Sequence, residues 1–149
     1  MLYLEDLKVG DQFKSREYEM TLDEVMEFAQ KYDPQVFHVD AKATQDHPIF
    51  KEIVASAWHT SAVTMRLLTE CFPVANGLIA TESSLRWTRP ANVGDRISIE
   101  IEIVAITPSV TKPDRGIVTY VSQARNQHGD VLLMATNKIL VMKSTPSSG

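Results

Sequence analysis

Residues 54–70 read VASAWHTSAVTMRLLTE, and this segment constrains the fold more than any other. Drawn as a helix, it carries small side chains on every face of its first turns, and no charged residue occurs before Arg66. A helix that is apolar or small all round is normally enclosed by other elements. We therefore predict a helix from about Val54 to Glu70 at the centre of the fold.

Four β-rich runs follow this helix, separated by turns that contain Pro, Gly and Asp. In the second run, isoleucines alternate with polar residues in the sequence ISIEIEI, which is typical of a strand with one buried face. A helix followed by successive antiparallel strands predicts an α+β fold, with a long central helix wrapped by a curled antiparallel sheet. The runs are Leu78–Trp87, Arg96–Thr107, Gly116–Asn126 and Val131–Met142.

The segment before the central helix begins with a helix start signal. Residues 21–24, TLDE, have the form of a capping box and predict a helix from Leu22 to about Lys31. Pro34 ends that helix, because it has no backbone N–H and forces the preceding residue out of helical geometry. We therefore predict that Tyr32–Asp40 is a loop.

Length and composition indicate one ordinary globular domain. The 149 residues are 44% hydrophobic and 23% charged, and we assign residues 1–143 to one domain and residues 144–149 to a flexible tail. The net charge of −4 argues against a sequence-independent grip on nucleic acid or on an anionic membrane. A single cysteine, no zinc-binding spacing and no signal-peptide pattern predict a cytoplasmic protein.

The densest cluster of reactive groups lies in the predicted loop. Asp33, Gln35, His38 and Asp40 fall within eight residues, beside aromatic side chains. In an irregular segment stiffened by Pro34, Asp33 and His38 can face one pocket, and such a pair can perform acid–base chemistry near neutral pH. A structural alternative stays open, in which Asp33 ends the helix and His38 is hydrogen-bonded to the backbone.

Four segments, in this order, resemble the MaoC-like dehydratase family, the (R)-specific enoyl-CoA hydratases. They are YDPQVFHVD (32–40), IVASAWHTSAVTMRLL (53–68), LRWTRPANVGD (85–95) and KPDRGIV (112–118), and the resemblance extends from about Leu4 to Val141. It implies the hotdog fold and an Asp, Asn, His and acid motif, whose places Asp33, Gln35, His38 and Asp40 occupy. Gln35 replaces the Asn, and Val36 stands where these hydratases usually have Pro.

The resemblance also implies a mechanism of reversible hydration of a trans-2-enoyl thioester. Asp33 would deprotonate water, His38 would hold that water and exchange the α-proton, and the backbone amide of Ala57 would stabilise the enolate-like oxygen. The family usually has Gly at the position of Ala57, so a methyl group would crowd the thioester, and a positive φ there would strain Ala. No metal or redox cofactor is implied, and coenzyme A or an acyl-carrier thioester enters as part of the substrate.

Further candidates for contact with the substrate are weaker. Gln35, Ser56, Trp58 and His59 stand beside the motif residues or at the start of the central helix, but packing in the core is the simpler expectation for Trp58 and His59, as it is for Met65, Leu85 and Trp87. The basic residues at strand connections could hold the phosphates of coenzyme A or be solvated surface charges. These residues are Arg89, Lys112 and Arg115.

Three functions from different classes compete. The Asp33 and His38 pair favours a hydratase of acyl-CoA metabolism. A hotdog thioesterase commonly carries a carboxylate on the central helix, but Ile53–Thr69 contains no Asp or Glu. The third hypothesis is a non-catalytic protein that binds acyl thioesters, and the departures from the family pattern at Ala57 and at Gln35-Val36 favour it. For any of them we expect a homodimer or higher homo-oligomer, because one hotdog unit exposes a sheet edge.

Overall fold

The computed structural model of the chain describes residues 1–144. A short 3₁₀ helix at Leu4–Asp6 precedes the remaining elements. The helices are α1 (Leu22–Tyr32), α2 (Val36–Val39), α3 (Ala41–Thr44) and α4 (Ala57–Cys71). The strands are β1 (Gln12–Lys14), β2 (Tyr18–Glu19), β3 (Ile79–Trp87), β4 (Arg96–Pro108), β5 (Arg115–Arg125) and β6 (Val131–Met142). Of the predicted tail, only Ser144 lies within the described residues.

One antiparallel sheet and one long helix form the core, which confirms the predicted α+β class. The strand order is β1-β4-β5-β6-β3, and the short β2 pairs with β4 beside it. The isoleucines of β4 at positions 97, 99, 101 and 103 are all buried, as their alternation predicts. The sheet curls around α4, which buries Val63, Leu67 and Leu68 against it.

The central helix starts later and is less enclosed than predicted. Ser56 caps it, because its side-chain oxygen accepts from the N–H of Trp58 at 3.2 Å, so the helix begins at Ala57 rather than Val54. Val54 instead forms an isolated bridge with Asn92. The prediction that Trp58, Met65 and Trp87 are core residues is wrong, because they are 59%, 43% and 38% exposed, whereas Leu85 is half-buried and packs against the core.

The helix start at Thr21 is confirmed, whereas the predicted loop contains one short helix, α2, and a second, α3, follows it directly. The Thr21 hydroxyl accepts from the N–H of Glu24, and α1 ends at Tyr32, directly before Asp33. After Pro34 the chain turns through α2, in which the N–H of Asp40 donates to the carbonyl of Val36. The four residues of α2 are too few to show a helical periodicity that could be recognised from sequence. None of the helices within residues 1–144 has the length and apolar character needed to cross a membrane.

Candidate active site

Asp33 and His38 are brought together by the turn that follows α1. Asp33 is the residue after the last turn of α1, and Pro34 redirects the chain into α2, which carries His38. The Nε2 atom of His38 lies 3.2 Å from Oδ2 of Asp33, and the side-chain amide of Gln35 donates to Oδ1 of Asp33 at 2.6 Å. The two groups therefore face one another, as the sequence argument allowed.

His38 is held in one orientation by the segment that leads into α4. The residue is 4% exposed, and the Nδ1 atom of its imidazole lies 2.6 Å from the carbonyl oxygen of Val54. The N–H of Val54 donates in turn to the carbonyl of Phe37 at 3.1 Å, so the two segments are joined at adjacent positions. Because a carbonyl oxygen only accepts, the proton on this side of the ring must sit on Nδ1.

This assignment decides what the contact between His38 and Asp33 requires. With Nδ1 protonated, a neutral imidazole presents a lone pair at Nε2, and an ionised Asp33 presents a second acceptor 3.2 Å away. Two acceptors at that distance repel, so the direct contact is favourable only with a proton between them. A hydrogen bond between Asp33 and His38 therefore requires one proton between Nε2 and Oδ2.

The surroundings of Asp33 favour its ionised form. Partial burial acts to raise the pKa of Asp33, but hydrogen bonds donated by Ser56 and Gln35, together with the charge and hydrogen bond of His38, outweigh it and lower the pKa below its usual value. Ser56 is fully buried and also caps α4, so one of the groups that lower the pKa of Asp33 lies at the start of the central helix.

Ala57 offers a backbone donor beside this pair. The first N–H groups of a helix have no partner within it. Here the N–H of Trp58 is bound by the Ser56 hydroxyl and that of His59 by the Ser56 carbonyl, while the N–H of Ala57 has no hydrogen-bond partner within residues 1–144. Ala57 does not have a positive φ, so Ala in place of Gly causes no backbone strain at this position.

A cavity of about 430 Å³ is lined by Asp33, Gln35, His38 and Ala57 together. Four aromatic rings form much of its apolar wall: Phe37, Phe50, Trp58 and Trp87. The indoles of Trp58 and Trp87 pack edge to face, with ring centroids 5.0 Å apart. The buried Thr60 also lines the cavity. An apolar cavity with a few convergent polar groups is the usual form of a small-molecule site.

Several predicted site residues lie elsewhere. His59 stacks on Phe28 with ring centroids 4.7 Å apart and lines a separate groove between α1 and α4. Burial lowers the pKa of His59, and its Nδ1 has no partner within the described residues. Asp40 caps α3 by accepting from the N–H of Ala43 at 3.0 Å. Of the two remaining candidates, Lys112 lies in the β4–β5 connection and Arg115 is the first residue of β5, and neither lines the cavity.

The sequence reasoning missed several parts of this site. The carbonyl of Val54 orients His38, but no side-chain pattern reveals which backbone oxygen an imidazole will meet. Thr60 lies one turn after Ser56 on the same helix, and that spacing could have indicated it. Arg89 does line the cavity, where its Nη1 atom is paired with Asp130 at 2.8 Å.

Comparison with known proteins places the chain in a family. The profile of the MaoC like domain matches residues 6–126. The crystal structure of the MaoC-like dehydratase from Rhodospirillum rubrum superposes with a TM-score of 0.93 over 97% of this chain and 99% of that chain, at 42% sequence identity. This similarity confirms the predicted hotdog fold.

Two more distant structures share the fold. The monoamine oxidase regulatory protein from Archaeoglobus fulgius has a TM-score of 0.85 and 22% identity, covering 97% of this chain and 96% of that one. The R-hydratase PhaJ1 from Pseudomonas aeruginosa has a TM-score of 0.77 and 22% identity, covering 95% and 86%. The match over most of the chain and the close structural agreement together establish that this protein belongs to the MaoC-like domain family.

Proposed function

We propose that the protein is an (R)-specific enoyl-CoA hydratase, which in reverse is a 3-hydroxyacyl-CoA dehydratase. The observation that carries this proposal is the 3.2 Å contact between Asp33 and His38 inside the cavity that Ala57 also lines. Addition of water to a carbon–carbon double bond needs one group to accept a proton and another to donate one. The pair contains both.

In this proposal the backbone N–H of Ala57 positions the substrate by binding its thioester oxygen. A thioester oxygen bound to the N–H of Ala57 would meet the positive end of the α4 dipole, where negative charge develops as water adds to the conjugated system. The double bond then lies beside Asp33 and His38, since the same cavity is lined by all three residues. Phe37 and Phe50 supply apolar surface for the hydrocarbon part.

The proton transfers balance within the pair. Asp33 accepts a proton from water as the water oxygen bonds to the β-carbon, and the proton on Nε2 of His38 passes to the α-carbon as the π bond breaks. The proton now on Asp33 returns across the 3.2 Å contact to Nε2, which restores the starting state. Both new bonds form on the side of the substrate that faces the pair, so the addition is syn.

This reaction transfers no electrons, and the proposed steps use only protein groups and water. We therefore propose that it proceeds without a redox cofactor or metal ion, with coenzyme A or an acyl carrier present only as part of the substrate. The lowered pKa of Asp33 keeps its carboxylate ionised at neutral pH, which is the form that can accept a proton.

A thioesterase is the less supported alternative. The only acid on α4 is Glu70, in its last turn, and the carboxylate is bound by Arg16 at 2.7 Å and by Arg66 at 2.9 Å. The hydrogen bonds from Arg16 and Arg66 lower the pKa of Glu70 to about 2. Glu70 is not among the residues that line the cavity and is committed to ion pairs, so it cannot assist attack on a thioester there.

We also propose a homodimer formed through β3. This strand pairs with β6 along one edge, its other edge has no strand partner among residues 1–144, and Ile79 and Trp87 on it are exposed. Antiparallel pairing of two copies at this edge would satisfy the free backbone groups. Sedimentation at micromolar concentration should give a dimer, and a monomer would contradict this proposal.

A cytoplasmic location remains a prediction, which rests on the presence of a single cysteine, Cys71, as a free thiol. Burial raises the pKa of this thiol. Cell fractionation would test the predicted location, and recovery of the protein outside the cytoplasm would overturn it.

The test of the hydratase proposal follows the loss of ultraviolet absorbance of crotonyl-CoA, with a longer and a branched enoyl-CoA in parallel. Asp33→Asn should abolish turnover, whereas Asp23→Asn, at an exposed position of α1, should retain it. Release of free thiol would indicate a thioesterase. Folded protein that binds acyl-CoA but neither hydrates nor cleaves it would indicate a non-catalytic binding protein.

A further inference from the structure

Trp87, the last residue of β3, is hydrogen-bonded to the first turn of α4. Its indole Nε1–H donates to the carbonyl oxygen of Ala57 at 3.0 Å and to the hydroxyl of Ser61 at 3.1 Å. Ser61 also donates its hydroxyl to the same Ala57 carbonyl, at 3.1 Å. The carbonyl of Ala57 is therefore held by side chains from two elements, beyond the ordinary bonding of a helix.

The location of this contact matters because Ala57 is the proposed donor to the thioester oxygen. A backbone donor stabilises developing charge only if its position is fixed before the reaction, since a donor that must reorganise loses part of its effect. The start of a helix is its most mobile part, because its first residues make the fewest backbone bonds. The indole of Trp87 counteracts that mobility at the residue whose N–H is offered.

The N-terminal side of Ala57 is held as well, by the cap of the helix. The Ser56 hydroxyl accepts from the N–H of Trp58 at 3.2 Å. The peptide group that carries the Ala57 N–H thus lies between the capping side chain of Ser56 and the contact of the Ala57 carbonyl with the sheet. Trp58 follows directly and packs against the ring of Trp87, so the indoles also share one wall of the cavity.

From these contacts we infer that Trp87 is a positioning residue for the reaction, which holds the first turn of α4 so that the N–H of Ala57 is correctly placed for the thioester oxygen. The inference rests on the proposed function in one respect: it takes the ligand to be an acyl thioester. It does not require turnover, because a bound saturated thioester meets the same donor.

The first experiment compares Trp87→Phe with wild type. Phenylalanine retains an aromatic ring in the cavity wall but removes the N–H together with part of the indole volume. Loss of one placed hydrogen bond is expected to lower kcat for crotonyl-CoA about tenfold while KM changes less than about twofold. Tyr18→Phe is the matched control, because it deletes a ring-borne hydrogen bond to Glu24, of 2.7 Å, at a position that does not line this cavity. It should leave kcat unchanged.

The second experiment needs no catalysis. Butanoyl-CoA carrying ¹³C at the thioester carbonyl is bound to wild type, Trp87→Phe and Tyr18→Phe at matched occupancy, and its carbonyl stretch is read by difference infrared spectroscopy. A donor at the oxygen lowers the frequency. We expect a clear lowering in wild type and in Tyr18→Phe, and a smaller one in Trp87→Phe.

The outcomes separate the inference from the proposed function. A frequency lowering that depends on Trp87 in a protein without hydratase activity would retain the inference and reject the hydratase. Equal frequencies in wild type and Trp87→Phe would overturn the inference, even with full hydratase activity. Absence of any lowering in wild type, or failure to bind the thioester, would overturn it too, because Ala57 would then not be the donor.

Discussion

The Nδ1 atom of His38 lies 2.6 Å from the carbonyl oxygen of Val54, and this contact fixes the protonation pattern of the site. It commits the Nδ1 proton to the backbone and leaves Nε2 facing Asp33. The segment just before α4 therefore orients the imidazole, while the start of α4 carries the N–H that we propose as donor to the thioester. One stretch of chain, residues 54–57, serves both halves of the proposed reaction.

Replacement of His38 should abolish hydration and leave the fold intact. In His38→Gln the side chain is an amide of similar polarity that cannot act as acid or base, so kcat for crotonyl-CoA should fall by about 10²- to 10⁴-fold. Circular dichroism checks that the protein is folded. As a control, His128→Gln changes an exposed imidazole in the turn before β6 and should retain activity. Activity of His38→Gln within tenfold of wild type would count against the proposed Asp33 and His38 pair.

Asp33 should make stability dependent on pH in acid. Its pKa is lowered in the folded state, so the carboxylate stabilises the fold at pH values above its unfolded pKa of about 3.9. That contribution is lost as the pH falls from there through the lowered folded pKa. Urea unfolding of wild type and Asp33→Asn from neutral pH into this range should show a steeper loss for wild type. Parallel pH dependences would contradict the hydrogen bonding around Asp33.

Ser56→Ala should change both the stability of the protein and the pKa of Asp33. Loss of the helix cap should lower the free energy of unfolding by about 1 kcal/mol. Loss of the hydrogen bond to Asp33 should raise the pKa of that carboxyl toward its usual value, so the acid limb of kcat/KM should move to higher pH. Thr21→Ala removes the cap of α1 and should lower stability without moving the limb. An unshifted limb in Ser56→Ala would show that the hydroxyl does not support the carboxylate.

The two tryptophans of the chain both line the candidate site, so intrinsic fluorescence should report its occupancy. Titration with butanoyl-CoA, excited at the red edge of the indole band, should change the emission of wild type. Trp58→Ala and Trp87→Phe should each retain part of the change, because each leaves one reporter in the wall. A thioester that binds by calorimetry without altering the emission would place the ligand elsewhere.

Sequence patterns predicted the features that depend on local chemistry or strict alternation. The cap at Thr21, the buried isoleucines of β4 and the α+β class follow from such patterns, and the short separation of Asp33 and His38 allowed their contact. Exposure was harder to predict, because Trp58 is apolar yet lies on a face that the chain itself leaves open. One of the side chains that hold the Ala57 carbonyl belongs to Trp87, which is distant in sequence, and no spacing rule links these two residues.

The central claim is that one Asp–His pair serves both carbons of the double bond from one side. Its most direct test is hydration of crotonyl-CoA in D₂O, with the configuration of the product determined by NMR coupling. The account predicts the (R)-3-hydroxy product with a single deuterium placed at the α-carbon by syn addition, and no product from Asp33→Asn. Anti addition, a mixture of diastereomers, or product from Asp33→Asn at the wild-type rate would contradict it.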